Sequence, residues 1–144
     1  MAGGHLTSPD TEHAHSSIVR TTSIRSAIIL GVLNKKKFLM RDVSQAYLYA
    51  DNREKVYIHA GPEFGHLQGK SLKIVKALYG LRSAGNSYHA YFADKLRAMG
   101  FTMCNADHDI WLRENDEVYD MIAVHVDDFI IIAKEPEFYM NQLK

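Results

Sequence analysis

Asp127 and Asp128 stand side by side in "MIAVHVDDFIIIAK", between two runs rich in β-branched residues. Two like charges at one point repel unless something cationic lies between or beside them. A hard divalent cation is the usual remedy, because Mg²⁺ takes oxygen ligands from one or two carboxylates together with substrate phosphates. A third carboxylate, Asp42, ends the apolar run in "KFLMRDV", where a lone buried charge would be costly without a partner. If that strand neighbours the segment around Asp127, the three carboxylates converge at one edge of a sheet. Three carboxylates holding two metal ions are a layout for in-line phosphoryl transfer. A solvent-facing turn and a separate strand-end aspartate would account for the same spacing, and spacing alone leaves both readings open.

The elements that would carry these residues follow from periodicity. "MIAVHV" and "FIIIA" predict a hairpin with Asp127 and Asp128 as its two-residue connection, although Asp-Gly is the commoner chemistry there. "TSIRSAIILGVLN" places Ile24, Ala27, Ile28 and Leu30 near one helical face, with a Ser or Thr cap and the cations of "NKKK" at its C-terminal end. "KFLMRDV" reads as a buried strand ending at Asp42. "KVYIHAGPEFG" reads as a short strand entering a Gly/Pro loop, and "SLKIVKALYG" as a strand stopping at Gly80. From Ser83 to Met99 the spacing of Tyr88, Phe92 and Leu96 predicts a helix, with Gly100 as its cap. "HDIWLR", a polar turn "ENDE" and "VYDMIAVHV" extend the meander, and "PEFYMNQLK" begins a further helix. The order predicts an α+β fold with an antiparallel sheet and helices packed on one face.

Bulk composition narrows the functional classes. The chain has 144 residues, 47% of them apolar, enough for one domain or a piece of one with a real core. No run of apolar residues is long enough to span a bilayer. A single cysteine, Cys104, excludes an internal disulfide and points to a reducing, intracellular compartment. The zero net charge conceals an asymmetry: residues 1–100 carry 14 Lys and Arg against 7 Asp and Glu, and residues 101–144 carry 3 against 10. A polyanion surface beside a cation site would produce that pattern, as would solvated faces of different sign.

Other chemistry finds little support. His5, His13, His15 and Cys104 lack zinc-ligand spacing, and the first sixteen residues read as an arm. Cys104 has no base–orienter arrangement to make it a nucleophile and reads as a small buried residue. Trp111, Tyr88, Tyr91 and Phe92 read as core. "GPEFGHLQG" contains glycines without a phosphate-loop pattern.

Taken together, four ordered segments resemble the reverse transcriptase of copia-type LTR retrotransposons. "FLMRDVSQAYLYADNREKVYIHAGPEF" is similar to the family's first catalytic motif and the strand after it. "IVKALYGLRSAGNSYHAYF" is similar to its Leu-Tyr-Gly-Leu motif and following helix. "GFTMCNADHDIWLR" and "IAVHVDDFIII" resemble the next segment and the Tyr-x-Asp-Asp hairpin. The resemblance implies the palm of a right-hand polymerase, with Asp42, Asp127 and Asp128 as the metal-binding triad for two Mg²⁺ ions, Mn²⁺ serving as a substitute. Asp42 and Asp127 would ligate both ions and Asp128 would support the site electrostatically, while a primer 3′-oxygen attacks the α-phosphate of a deoxynucleoside triphosphate. Tyr47 matches the aromatic that lies under the sugar and excludes a 2′-hydroxyl. Tyr79, Gly80 and Arg82 match the motif near the nucleotide and template strand. The cations between Lys35 and Arg82, 10 basic residues against 4 acidic, would contact phosphates without reading sequence.

The match departs from the family pattern in places. His125 stands where the family usually has Tyr, and "RSAGN" replaces the commoner Ser-Pro after the basic residue. The resemblance also implies that residues 1–144 are a partial domain of a retrotransposon polyprotein: an arm or fingers remnant over 1–16 and palm over 17–144, with thumb and RNase H absent from it. The partners would be an RNA or DNA template with primer, deoxynucleoside triphosphates and the rest of that polyprotein, within the cytoplasm or in retrotransposon particles. On this expectation the piece alone is a poor polymerase. The competing expectation is a non-catalytic relic that is inert or binds nucleic acid weakly.

Overall fold

The computed structural model describes residues 17–115 and 118–143. The arm over 1–16, with its three histidines, and Asp116 and Glu117 of the "ENDE" turn lie outside the described residues. The fold is α+β, with a five-stranded antiparallel sheet and helices. Residues group into two compact units: Gln45–Tyr91 form one, and the described residues before Gln45 together with those from Phe92 onward form the other. No helix among the described residues is long and apolar enough to cross a membrane.

The second unit is built on the sheet. Its elements are helix α1 (Thr21–Leu33), strand β1 (Lys37–Asp42), β4 (Thr102–Met103), β5 (Ile110–Arg113), β6 (Asp120–His125), β7 (Asp128–Ala133) and helix α3 (Pro136–Gln142). The strand order is β1-β7-β6-β5-β4, and every pairing is antiparallel. The interior strands are the β-branched ones. Ile122, Ile131 and Ile132 are fully buried, as strands covered on both faces require.

Alternation along the strands assigns the two faces. One carries Met121, Ala123, Ile110 and Ile132, which cluster with Val19 and with Ala27 of α1. The other carries Phe129, whose ring centroid lies 5.4 Å from that of Phe92 on the later turns of helix α2 (Ala84–Ala98). Arg97 of the same helix lies over the Trp111 ring at 5.5 Å. Trp111 and Phe92 are thus core, as their sequence context predicts.

Helix α1 reaches the sheet through a glycine. A Cβ placed on Gly31 would lie 2.5 Å from Ile132 Cγ2 and 2.9 Å from Phe38 Cζ, and those two residues are themselves cross-strand partners. Gly31→Val is therefore expected to destabilise the fold by about 1–3 kcal/mol through overpacking, read as a lowered urea midpoint. An unchanged midpoint would show that α1 does not approach the sheet this closely. The cap of α1 differs from expectation. Arg20 occupies the N-cap without a side-chain bond, and its backbone N–H donates to the Asp107 carboxylate at 3.0 Å. Burial raises the Asp107 pKa, but the Ser23 hydroxyl and the N–H groups of Arg20 and Asp109 outweigh it and hold the group below its usual value.

Strand β1 departs most from its sequence reading. "KFLMRDV" is apolar enough to predict burial, yet β1 is an edge strand, exposed along nearly all its length; Met40 is 74% exposed. Composition alone does not distinguish an apolar edge from an apolar centre, because pairing on one side satisfies the same propensity.

The first unit contains a two-stranded ribbon, β2 (Tyr57–His59) against β3 (Ser71–Lys73), and two 3₁₀ turns, Ala46–Tyr49 and Pro62–Leu67. The strand expected to reach Gly80 stops at Lys73. Beyond it the chain is laced to residues 50–52 instead. Ala77 N–H donates to Ala50 C=O at 3.0 Å, Asn52 N–H to Val75 C=O at 2.9 Å, and Asp51 bridges Lys76.

Candidate active site

The sheet's register sets two carboxylates of the second unit opposite one another. Asp42, the last residue of β1, is directly opposite Asp128, the first of β7. Asp128 in turn is opposite His125. These three residues therefore form one cross-strand row at one end of the sheet, on one face. Like charges placed directly opposite one another destabilise an antiparallel pair, so the row has a cost that a bound cation would relieve.

The hairpin turn is not Asp127-Asp128, as its sequence suggests, but Val126-Asp127. The reason lies in the register: His125 pairs with Asp128, so Asp128 is already a strand residue. Val126 adopts φ 58°, where a β-branched side chain is a steric outlier. A residue held in that region marks stored backbone strain, which concentrates at functional sites. The turn is also tied to β1, because Val43 N–H donates to Asp127 C=O at 2.9 Å. That bond fixes the Asp127 backbone beside the end of β1 independently of its side chain.

Among the described residues no group of three or more His, Cys, Asp or Glu stands close enough to hold a metal ion. The donor chemistry nonetheless suits Mg²⁺: Asp42 and Asp128 are exposed, Asp127 is half-buried, and all three offer hard oxygen. A Mg²⁺ site of one or two carboxylates completed by water and substrate phosphate needs no larger protein cage.

At the opposite end of the same sheet lies a buried ionic cluster that sequence reading missed. Lys36 Nζ donates to Asp120 Oδ1 at 2.8 Å, with side chains 1% and 8% exposed, and to Val118 C=O at 3.3 Å. Tyr139 Oη donates to Asp120 Oδ2 at 2.7 Å. Burial raises the Asp120 pKa, but the bonds from Lys36, Tyr139 and Asn115 bring it below its usual value. Burial and the neighbouring Asp120 carboxylate push the Tyr139 phenol up to about 12. In sequence, Lys36 is one of three lysines after a helix, where the helix dipole is reason enough for a cation. The helix ends at Leu33 and has no basic residue in its last turn. The available signal was Asp120 itself, a charge at the head of an apolar strand.

The remaining candidates lie in the first unit. Tyr47 sits on the 3₁₀ turn Ala46–Tyr49, entered through Gln45 at φ 56°. Its ring centroid is 4.2 Å from that of Tyr79 and 6.0 Å from that of buried Tyr88. Gly80 has φ 98° and closes a turn in which Leu81 N–H donates to Leu78 C=O at 3.1 Å. Glycine suits the third position of such a turn because φ is positive there. Arg82 is exposed just beyond it, and the Glu54 carboxylate accepts from Ser83 N–H at 2.8 Å at the start of α2. Cys104 is half-buried beside the core under α1.

Comparison with known proteins gives concordant matches. The family profile for "Reverse transcriptase (RNA-dependent DNA polymerase)" matches residues 4–144. The retrovirus-related Pol polyprotein from transposon RE1 of Arabidopsis thaliana is 28% identical over 149 residues, covering 99% of this chain and 10% of that protein. The transposon Ty1-MR1 Gag-Pol polyprotein of Saccharomyces cerevisiae is 29% identical over 137 residues, covering 93% and 8%. The chain thus spans 10% or less of the length of these relatives. No solved structure matches.

Proposed function

This chain belongs to the reverse transcriptase (RNA-dependent DNA polymerase) family, in its copia-type retrotransposon branch, and on that premise we propose that it is the palm segment of an RNA-directed DNA polymerase. The observation that carries the reading is the register of β1 on β7, which sets Asp42 opposite Asp128 with Asp127 in the adjoining turn. One or two of these carboxylates, completed by water and substrate phosphate, would hold Mg²⁺, which when bound would supply charge stabilisation to a transferring phosphoryl group and activate the attacking oxygen. The chain's own part is positional. The strained Val126-Asp127 turn and the Val43–Asp127 bond hold Asp127 rigidly, as a reacting constellation requires.

The substrates under this reading are a primer on an RNA or DNA template and deoxynucleoside triphosphates, with Tyr47, Tyr79, Gly80 and Arg82 on the nucleotide side. The exposed cations of the basic stretch would contact the phosphate backbone, which makes affinity fall with salt. Its place of action would be intracellular, within a longer polyprotein. The test is primer extension by a polyprotein in which residues 1–144 are joined to fingers and thumb of a copia-type relative. Incorporation of deoxynucleotide that requires Mg²⁺ and stops on chelation is expected. Salt-sensitive duplex binding with no incorporation would overturn the polymerase reading in favour of a nucleic-acid-binding relic.

A further inference from the structure

We propose that Lys36 is a positioning residue for Asp42: its buried bond to Asp120 fixes the register of β1 on β7, and with it the place of the Asp42 carboxylate opposite Asp128. The bearing on catalysis rests on the polymerase reading above; the control of register does not.

Side-chain burial leaves the register of β1 weakly specified. Along Lys37–Asp42 Leu39 is half-buried and every other residue is exposed. Phe38, which faces Gly31 of α1, is still 40% exposed. A strand without a buried face slips readily, because no set of side chains resists the move. The Val43–Asp127 bond is between backbone groups, and a shifted pairing replaces it with another of the same kind. A slip by one residue turns Asp42 to the other face of the sheet. A slip by two sets Met40 or Ser44 opposite Asp128 in its place.

Lys36 supplies the resistance. It stands immediately before β1, and its backbone N–H donates to Gly31 C=O at 2.9 Å, just after Lys35 turns the chain at φ 52°. Its side chain reaches beyond β7, which stands between β1 and β6, to Asp120 Oδ1 at 2.8 Å and Val118 C=O at 3.3 Å. Both charged side chains are buried. One residue of slip would move Lys36 by roughly 3.3 Å along the strand, more than this bond can stretch. Two desolvated charges would then lose their partners, which is costly for each. The pairing runs without interruption from Lys37 opposite Ala133 to Asp42 opposite Asp128. A register set at the head of β1 is therefore the register at Asp42.

The experiment is disulfide trapping in the 144-residue chain carrying Cys104→Ser. Met40→Cys with Ile130→Cys joins native partners; Arg41→Cys with Ile130→Cys joins residues that become partners after a one-residue slip. With Lys36 and Asp120 intact, the first pair should close and the second should not. In Lys36→Met/Asp120→Leu the urea midpoint should stay near that of the parent while the native-to-slipped yield ratio falls about tenfold or more. Tyr139→Phe removes another donor to Asp120 and should leave the ratio unchanged, which separates register from stability. An unchanged ratio in the double variant overturns the inference, and so does an equal fall in Tyr139→Phe. If the double variant is unfolded, Lys36→Gln, which keeps a neutral donor, should show a smaller fall, and an unchanged ratio there overturns the inference equally. In the polyprotein carrying residues 1–144, the Mg²⁺ concentration for half-maximal primer extension should rise roughly tenfold or more in the double variant. A changed ratio with an unchanged Mg²⁺ requirement would overturn the role toward Asp42. Absence of extension by the unsubstituted polyprotein would instead overturn the polymerase reading.

Discussion

Asp127→Asn is expected to abolish Mg²⁺-dependent primer extension by a polyprotein carrying this segment while leaving the fold intact. The substitution is isosteric and removes one negative charge from the three carboxylates proposed for the metal site. Loss of groups that merely orient metal ligands costs roughly 10–100-fold in metal affinity or activity, and loss of a ligand should exceed that. The fold should not suffer, because the bond that ties the turn to β1 uses the Asp127 carbonyl, not its side chain. Removing a like charge from this end of the sheet should even relieve some repulsion. Extension kinetics titrated with Mg²⁺, alongside urea unfolding of the 144-residue chain, check both halves. Wild-type extension by Asp127→Asn would remove this aspartate from the mechanism. Asp128→Asn provides the contrast. Asp128 is the residue directly opposite Asp42, so a greater loss there than at Asp127 would reverse the roles that the family resemblance assigns.

The second large effect concerns stability. Lys36→Met would leave the Asp120 carboxylate buried without its cation, with Tyr139 as a remaining partner. Removing one member of a buried pair costs about 3–5 kcal/mol, because the other stays desolvated and uncompensated. That is a large part of the total stability of a small domain, so Lys36→Met is expected to be largely unfolded at mild denaturant concentrations. Lys36→Met combined with Asp120→Leu should recover most of the loss, since an apolar pair of similar volume no longer strands a charge. A Lys36→Met protein as stable as wild type would mean that the pair contributes nothing. The pH dependence has a defined sign. The folded pKa of Asp120 lies below its unfolded value, so its contribution is complete above the unfolded value near 3.8 and is lost as pH falls through the folded one.

This cluster also bears on the candidate site. Strands β1 and β6 both run antiparallel to β7, so their first residues share one end of the sheet and their last residues the other. Lys36 precedes β1 and Asp120 begins β6, which places the ion pair at the far end from Asp42, His125 and Asp128. A one-residue slip of β1 would turn Asp42 to the other face and would also separate Lys36 from Asp120. The buried pair thus favours the register that sets Asp42 opposite Asp128.

The sequence by itself determined the chemistry-bearing residue types and the element types around them. Runs of Ile and Val around Asp127 and Asp128 predict paired strands because β-branched side chains suit a pleated, buried surface. The spacing of Tyr88, Phe92 and Leu96 predicts helix α2 because those positions share a face, and all three are buried. Such signals are local, and a linear chain carries them in full. Three matters were decided only by tertiary structure. Whether "KFLMRDV" is a central or an edge strand depends on how many neighbours it acquires. Whether the turn is Val126-Asp127 or Asp127-Asp128 depends on register, and a shift of one residue leaves composition unchanged. That Lys36 meets Asp120 across 84 positions, rather than the helix before it, depends on a long-range contact: a charge at the head of an apolar strand marks Asp120 as needing a partner but does not say which. Periodicity specifies which face a residue takes within its own element; pairing between distant elements follows from burial and charge compensation over the whole sheet, and only the folded chain contains that information.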